Sequence, residues 1–321
     1  MKLSVMSPVL ASMDLEAALK YLSELGVDSV ELGAGGYPGK AHIDPKDYLG
    51  CPERVEWLKG LLKKYNIEIS AIACHGNPVH PNRAVAERFH SEFVDAMRLA
   101  AMLGVETVVG FSGCPGDCAE SKNPNWVTCS WPPEYMEILD WQWNEVVIPY
   151  WKRTAALAKE IGIKKIAFEM HPGFCVYNPA TLLRLREAVG DIIGANVDPS
   201  HLFWQGIDPC EAIKTLKGAI YHFHAKDTKI DEANTSKNGV LDTQGYGDIL
   251  ERSWVFRTVG YGHSPEVWNN IISTLKAVGY DGHISIEHED GLMSAKEGLE
   301  KAIAFLKSCI IYESPAKMWW A

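Results

Sequence analysis

The feature that most constrains this chain is one strand pattern repeated four times. Lys164-Lys165-Ile166-Ala167-Phe168-Glu169-Met170-His171-Pro172-Gly173 reads as a buried strand that delivers a carboxylate and an imidazole at its end and breaks at Pro-Gly. A mostly apolar run bounded by turn residues suits a strand covered on both faces. Ile193-Gly194-Ala195-Asn196-Val197-Asp198 ends in Asp, Ala219-Ile220-Tyr221-His222-Phe223-His224 in His, and His283-Ile284-Ser285-Ile286-Glu287 in Glu. Packing does not call for a metal-competent side chain at the C-terminal end of each strand. Buried carboxylates without partners are costly, so three that converge call for a cation.

The rest of the chain alternates strand and helix signals. Strands are expected at Leu3–Ser7, Ser29–Leu32, Ile67–Cys74 and Thr107–Phe111, ahead of the four above. Asp14 caps a helix with Leu15, Ala18, Leu19, Leu22 and Leu25 at helical spacing, and Gly26 stops it. Helices follow at Glu53–Tyr65, Ala84–Leu103 and Asp140–Ile161, the last with a kink expected at Pro149. Asn178-Pro179, Asp208-Pro209 and Ser264-Pro265 are cap-plus-proline starts, and Ser294-Ala295-Lys296-Glu297 is a capping box. Parallel strands need helical crossovers, and eight strand–helix pairs close into a (β/α)8 TIM barrel of class α/β. No linker-like shift in composition occurs, so residues 1–321 are expected to form a single domain. Two long insertions, about 112–137 and 227–257, follow strands four and seven. Both are therefore placed on the C-terminal face, where such barrels carry their active sites.

Composition narrows the class further. A hydrophobic content of 47% supplies a large core, and a net charge of −10 argues against binding nucleic acid through its phosphates. Eight scattered cysteines without a Cys-x-x-Cys pair suggest a reducing compartment and no structural zinc. The N-terminus lacks a signal-peptide core, and no segment is apolar over the length of a membrane span. A cytoplasmic protein that engages neither membrane nor nucleic acid is expected.

Glu169, Asp198, His224 and Glu287 come from strands that neighbour one another around a barrel, so their side chains can converge. Three carboxylates and one imidazole suit Mn²⁺, Mg²⁺ or Co²⁺ better than a closed thiolate zinc site. His171 follows Glu169 by two residues and shares its side by period-two alternation, as a candidate acid/base. His201, on the loop leaving strand six, is a candidate substrate ligand or ligand of a second metal. His75 closes strand three, is expected opposite the metal side, and could face substrate. Lys226 is a substrate-binding candidate, and Asp227 is expected to orient Lys226 or a ligand. Among the many aromatics, Trp126, Trp131, Tyr135, Trp141, Trp143, Tyr150 and Trp151 are assigned mostly to packing. Trp204 is the candidate sugar platform. The tail Met318-Trp319-Trp320 is expected to dock on the barrel or on a partner subunit, and a homo-oligomer is expected.

These residues resemble the xylose-isomerase-like barrel superfamily of sugar isomerases and epimerases. The resemblance rests on Phe168-Glu169, Val197-Asp198-Pro199-Ser200-His201, His224-Ala225-Lys226-Asp227 and Ile286-Glu287, supported by Val259-Gly260-Tyr261-Gly262 and Gly279-Tyr280-Asp281-Gly282. It implies one divalent metal, usually manganese with Zn²⁺ a further alternative, on Glu169, Asp198, His224 and Glu287. It also implies an acid/base pair of Glu169 and Glu287, and a substrate-contacting His201. The ketose 3-epimerases of that family carry an Arg shortly after the metal His. Here Asp227-Thr228-Lys229-Ile230 has none, and the His-x-Lys-Asp form is more similar to the inosose dehydratase branch.

The expected activity is metal-dependent isomerisation or epimerisation of a keto-sugar, a 3-keto-glycoside included, through an enediolate. The alternative is a dehydratase or lyase that expels a β-leaving group from the same intermediate, with His171 as base. The C-glycoside-cleaving members of the family pair with a small second chain, a contact that Trp319 and Trp320 could serve. An apurinic-endonuclease-like phosphodiesterase is a third reading. It is disfavoured because the only Asp-x-His pair between the metal His and the final Glu, Asp281-Gly282-His283, enters the last strand at the wrong end. A non-catalytic sugar-binding barrel is a fourth, disfavoured by the complete ligand set. The absence of a glycine-rich phosphate cradle points to an unphosphorylated substrate.

Overall fold

The computed structural model describes residues 1–314, 316–318 and 320. Among these, eight parallel strands close into a barrel. They are β1 (Lys2–Met6), β2 (Ser29–Gly36), β3 (Glu68–His75), β4 (Thr107–Gly110), β5 (Lys165–Glu169), β6 (Ile193–Val197), β7 (Ile220–Ala225) and β10 (His283–Ile286). Their order around the ring is β1-β10-β7-β6-β5-β4-β3-β2. The four strands read from the carboxylate pattern are thus contiguous, and a ligand at the end of each one meets the others. The chain forms a TIM barrel, as the alternation of strand and helix signals requires.

The crossover helices include α1 (Leu15–Glu24), α2 (Pro52–Tyr65), α3 (Arg83–Leu103), α4 (Glu134–Trp141), α5 (Ile148–Ile161) and α6 (Pro179–Val189). Two short helices follow β6, α7 (Pro199–Phe203) and α8 (Pro209–Thr215), and α10 (Pro265–Ala277) and α11 (Ala295–Cys309) flank β10. Outward-facing strand residues fill the space beneath the helices. Phe168 on β5 meets Trp151 on α5 at 4.4 Å between ring centroids, and Trp151 meets Phe93 on α3 at 5.6 Å. Each such buried ring contributes roughly 1.5–3 kcal/mol relative to exposure.

The helix starts follow their caps, with two departures. Asp14 accepts from Ala17 N at 2.8 Å, and Asn178 and Thr181 form a reciprocal capping box. Ser264 makes no side-chain cap bond, and Ser294 makes only the forward half of its box, from Glu297 N at 3.2 Å. The helix expected at Asp140–Ile161 begins earlier, and its irregularity is not a kink at Pro149. Instead a wide π turn, Gln142–Val147, joins α4 to α5 just ahead of that proline. Placing the loosened turn there accommodates the missing Pro149 N–H.

The second insertion is more ordered than a loop. β8 (Asp227–Ile230) pairs antiparallel with β9 (Trp254–Arg257), and α9 (Glu232–Asn238) lies between them. Met318 and Trp320 are exposed, and Trp319 lies outside the described residues. Among the described residues no helix is long and apolar enough to cross a membrane.

Candidate metal centre and its cleft

The site is built by period-two alternation on a few strand ends. On β5 and its exit, Ala167 and Glu169 face inward while Phe168 faces the helices. On β7, His222, His224 and Lys226 rise up the interior one above another. At the lowest level Glu31, on β2, receives His222 Nε2 at 2.9 Å, His224 Nε2 at 3.0 Å and Ser285 Oγ at 2.7 Å. At the middle level His224 Nδ1 lies 3.2 Å from Glu169 and 3.1 Å from Glu287. At the top Lys226 Nζ donates to Glu287 at 2.8 Å and to Glu289 at 2.9 Å, and stands 3.2 Å from Asp198 Oδ2.

Glu169, Asp198, His224 and Glu287 each present a donor atom within 4.8 Å of the others'. The fit to a divalent cation rests on two observations. Asp198 Oδ2 is buried and accepts no hydrogen bond of good geometry, despite the nearby ammonium of Lys226. The carboxylates also enclose His224 Nδ1, the ring atom left free for a metal when Nε2 binds Glu31.

Electrostatics follow from burial opposed by neighbours. Burial pushes the Glu31 carboxyl up, but His224 and His222 outweigh it and hold it well below the usual range. Burial likewise acts against Glu169, where His201, His224 and His75 win and keep it low. Glu287 is lowered to about 2, burial being outweighed by Lys226 and His224 despite Glu169. Asp198 goes the other way: burial raises it, and Lys226 and His201 compensate only in part. Burial lowers His171 and His201 and keeps both imidazoles neutral near pH 7.

The other sequence candidates divide into two groups. His201, on α7, places Nε2 3.0 Å from Glu169 Oε1 and 3.4 Å from Asp198 Oδ2. His171 lies with its ring centroid 4.1 Å from that of His201. His75 does not stand opposite the metal side, because its Nε2 is 3.1 Å from Glu169 Oε2. A closed barrel is narrow enough that inward side chains from distant strands meet at its axis. Trp204 is not a platform on the cleft. It is buried and stacked on Trp254 at 4.6 Å and 5°, in a small cluster with Phe256. Asp227 does not touch Lys226 or a ligand. Its carboxylate accepts from Thr228 N, Gly260 N, Gly262 N, His263 N, His263 Nδ1 and Trp268 Nε1 at 2.7–3.1 Å, tying down the 258–263 loop.

Glu169 and Glu287 of the candidate metal group line a cleft of about 470 Å³, with Asp198 and His224 buried behind them. Its aromatic wall went unrecognised in the sequence: Phe111 stacks on Phe174 at 4.2 Å, and Tyr37 stands 6.1 Å from Phe111. Tyr37 reaches the rim because β2 ends in Gly33-Ala34-Gly35-Gly36. A Cβ on Gly36 would lie 1.7 Å from His75 O, so only glycine lets β2 and β3 close together there. Glu31, His222, Ser285 and Glu289 were also missed. The spacing His222-x-His224-x-Lys226 was the available signal. Asp281 and His283 sit at the far end of the barrel, where Asp281 binds the Met1 amine and Lys276 and His283 binds Glu68.

Residues 19–309 match the family described as xylose isomerase-like TIM barrel. The chain belongs to this family. It is 38% identical over 313 residues to the uncharacterized protein YfiH of Bacillus subtilis (strain 168), covering 97% of this chain and 99% of that one. The probable 3-DHS dehydratase AsbF of Bacillus anthracis shares the fold with a TM-score of 0.66 at 16% identity, covering 96% and 99% of the two chains. The 3-keto-D-glucoside 4-epimerase YcjR of E. coli does so with a TM-score of 0.61 at 13% identity, covering 96% and 100%. These two likenesses concern the fold, which in one case carries a dehydratase and in the other an epimerase.

Proposed function

We propose that this protein is a divalent-metal-dependent sugar isomerase or epimerase that enolises a keto-sugar, free keto-hexoses and 3-keto-glycosides being the candidates. The observation that carries this reading is the four-residue donor set, two of whose carboxylates line the cleft. Its mostly hard oxygen donors favour Mn²⁺, with Mg²⁺, Co²⁺ or Zn²⁺ as alternatives. When bound, the ion supplies Lewis-acid polarisation of a carbonyl and its neighbouring hydroxyl.

The chain's own residues handle the proton. Glu169 and Glu287 enter from strands separated by two others and face one space, so one can take a proton α to the carbonyl while the other returns it. His75 and His201 fix the two oxygens of Glu169, and Lys226 fixes Glu287. His75 and Lys226, which line the cleft, are the groups we assign to sugar hydroxyls, with His201 acting from behind Glu169. The sequence likeness to an inosose dehydratase and the neutral, cleft-lining His171 favour one second reading: β-elimination with His171 as the base.

The test is deuterium wash-in followed by NMR, with Mn²⁺-loaded protein, a panel of ketohexoses, inosose and 3-keto-glucosides. Exchange beside the carbonyl is expected, with the product separating epimerase, isomerase and lyase. Glu169→Gln and Glu287→Gln are each expected to lower the rate by 10²-fold or more. Turnover retained with both replaced would sink the assignment.

A further inference from the structure

A second cavity of about 310 Å³ adjoins the cleft, and His171 and Glu289 line both. Apart from His171, its walls come from the 227–257 insertion and the segment after β10: Tyr246, Ile249, Val255, Phe256, Arg257, Gly291 and Leu292 join Glu289 there. The insertion therefore builds a lobe beside the metal centre rather than a cover over it. We infer that this lobe holds the second ring of the substrate, an uncharged ring with an apolar face joined by a glycosidic bond to the ring held at the metal centre. The inference rests on the proposed keto-sugar chemistry and narrows its substrate from free keto-hexoses to glycosides.

Three observations support the occupant. The first is continuity, since a ligand at the metal group reaches the lobe past His171 and Glu289 without leaving the cleft. The second is charge. Arg257, which lines the lobe, has its Nε 3.1 Å from Asp290, Glu289 lines the same wall, and Lys226 in the adjoining cleft faces Asp198, Glu287 and Glu289. A phosphate or carboxylate would meet the Glu289 carboxylate and a guanidinium already paired with Asp290, whereas a neutral ring would meet no such repulsion. The third is a prebuilt platform. Tyr246 is 64% exposed yet fixed, 5.9 Å and 17° from Phe256 and with the Arg252 guanidinium 4.4 Å from its ring. Arg252 is itself buried and bonded to Trp254 O at 3.0 Å. Leu292, 58% exposed, completes the apolar rim. An exposed aromatic held in place is suited to stacking on a sugar or aryl ring.

The experiment compares 3-keto methyl glucoside with 3-keto phenyl glucoside and a 3-keto disaccharide by wash-in. In parallel, saturation-transfer NMR reads contact with the ring protons of unoxidised phenyl glucoside. The metal-loaded protein is compared with Tyr246→Ala and Leu292→Ser, both at exposed positions that folding tolerates. A KM about tenfold lower for at least one two-ring substrate than for the methyl glycoside is expected, with the ratio collapsing in both variants. Saturation of the phenyl ring should fade with it. A larger gain for phenyl than for the disaccharide identifies an aryl aglycone, and the reverse a second sugar. Exchange with all three substrates at one common KM would overturn the lobe while leaving the enolisation reading intact. Absence of exchange, with phenyl saturation still dependent on Tyr246, would overturn enolisation and leave the lobe. Absence of both signals would overturn both.

Discussion

Glu31 shows how far beneath the candidate metal centre the supporting hydrogen bonds extend. Its carboxylate takes His222, His224 and Ser285 in a fully buried layer, and so determines which nitrogen of His224 faces the donor cage. A ring pinned at Nε2 presents Nδ1 without having to be oriented when a metal arrives. Glu31→Gln keeps the volume and removes the charge that anchors the ring. Affinity for Mn²⁺ is expected to fall 10–100-fold in a calorimetric titration, with the variant still folded by circular dichroism. An unchanged affinity would reduce Glu31 to a space-filling polar residue of the barrel floor. Lys226 belongs to the same logic one layer higher: a fully buried ammonium is tolerable only because three carboxylates surround it.

At the level of elements, the exit of β7 separates two functions one residue apart. Lys226 turns inward to the carboxylates, while Asp227 turns away to gather five donors from the 258–263 loop and α10 and a sixth from Thr228 N. A Cβ on Gly262 would come within 2.4 Å of Thr228 O, so the loop sits tight against β8 only as glycine. Asp227→Asn replaces one acceptor oxygen by a donor facing N–H groups. A loss of about 2–4 kcal/mol in urea unfolding is expected, with metal affinity much less affected than in the Glu31 variant. The sequence could name Asp227 but not its direction, since alternation says that neighbours diverge without saying what each meets. The strand ends themselves were legible because each carries both an apolar run and an ionisable terminus. His75 was placed on the wrong side because strand position alone does not convey how narrow the barrel is. Trp204 was misjudged because its cover, Trp254, lies fifty residues on, in an insertion whose pairing of β8 with β9 has no local signature. Phe111 and Phe174 escaped notice for a similar reason: Phe111 reads as the apolar end of strand four and Phe174 lies in the loop after β5, and only their stacking makes a wall.

For the whole molecule, the same four candidate donors link the proposed catalysis to stability. They come from β5, the β6–α7 junction, β7 and the exit of β10, half the circumference of the barrel. The unfolded chain cannot bring them together, so a cation that binds them favours the folded state by mass action. The gain also relieves a cost already present, because three carboxylates share one buried space that His75, His201, His224 and Lys226 balance only in part. At free Mn²⁺ a hundredfold above its dissociation constant the stabilisation should be about 2.7 kcal/mol, which raises Tm by roughly 5 °C in a protein of this size. EDTA should reverse the shift, and Asp198→Asn should abolish most of it while leaving a folded barrel, since Asn keeps an oxygen for Ser200 N and Lys226 keeps Glu287 and Glu289. Scanning calorimetry of the two proteins with and without Mn²⁺ checks this. A shift of equal size in both would place the stabilising ion elsewhere and separate barrel stability from the proposed catalytic centre.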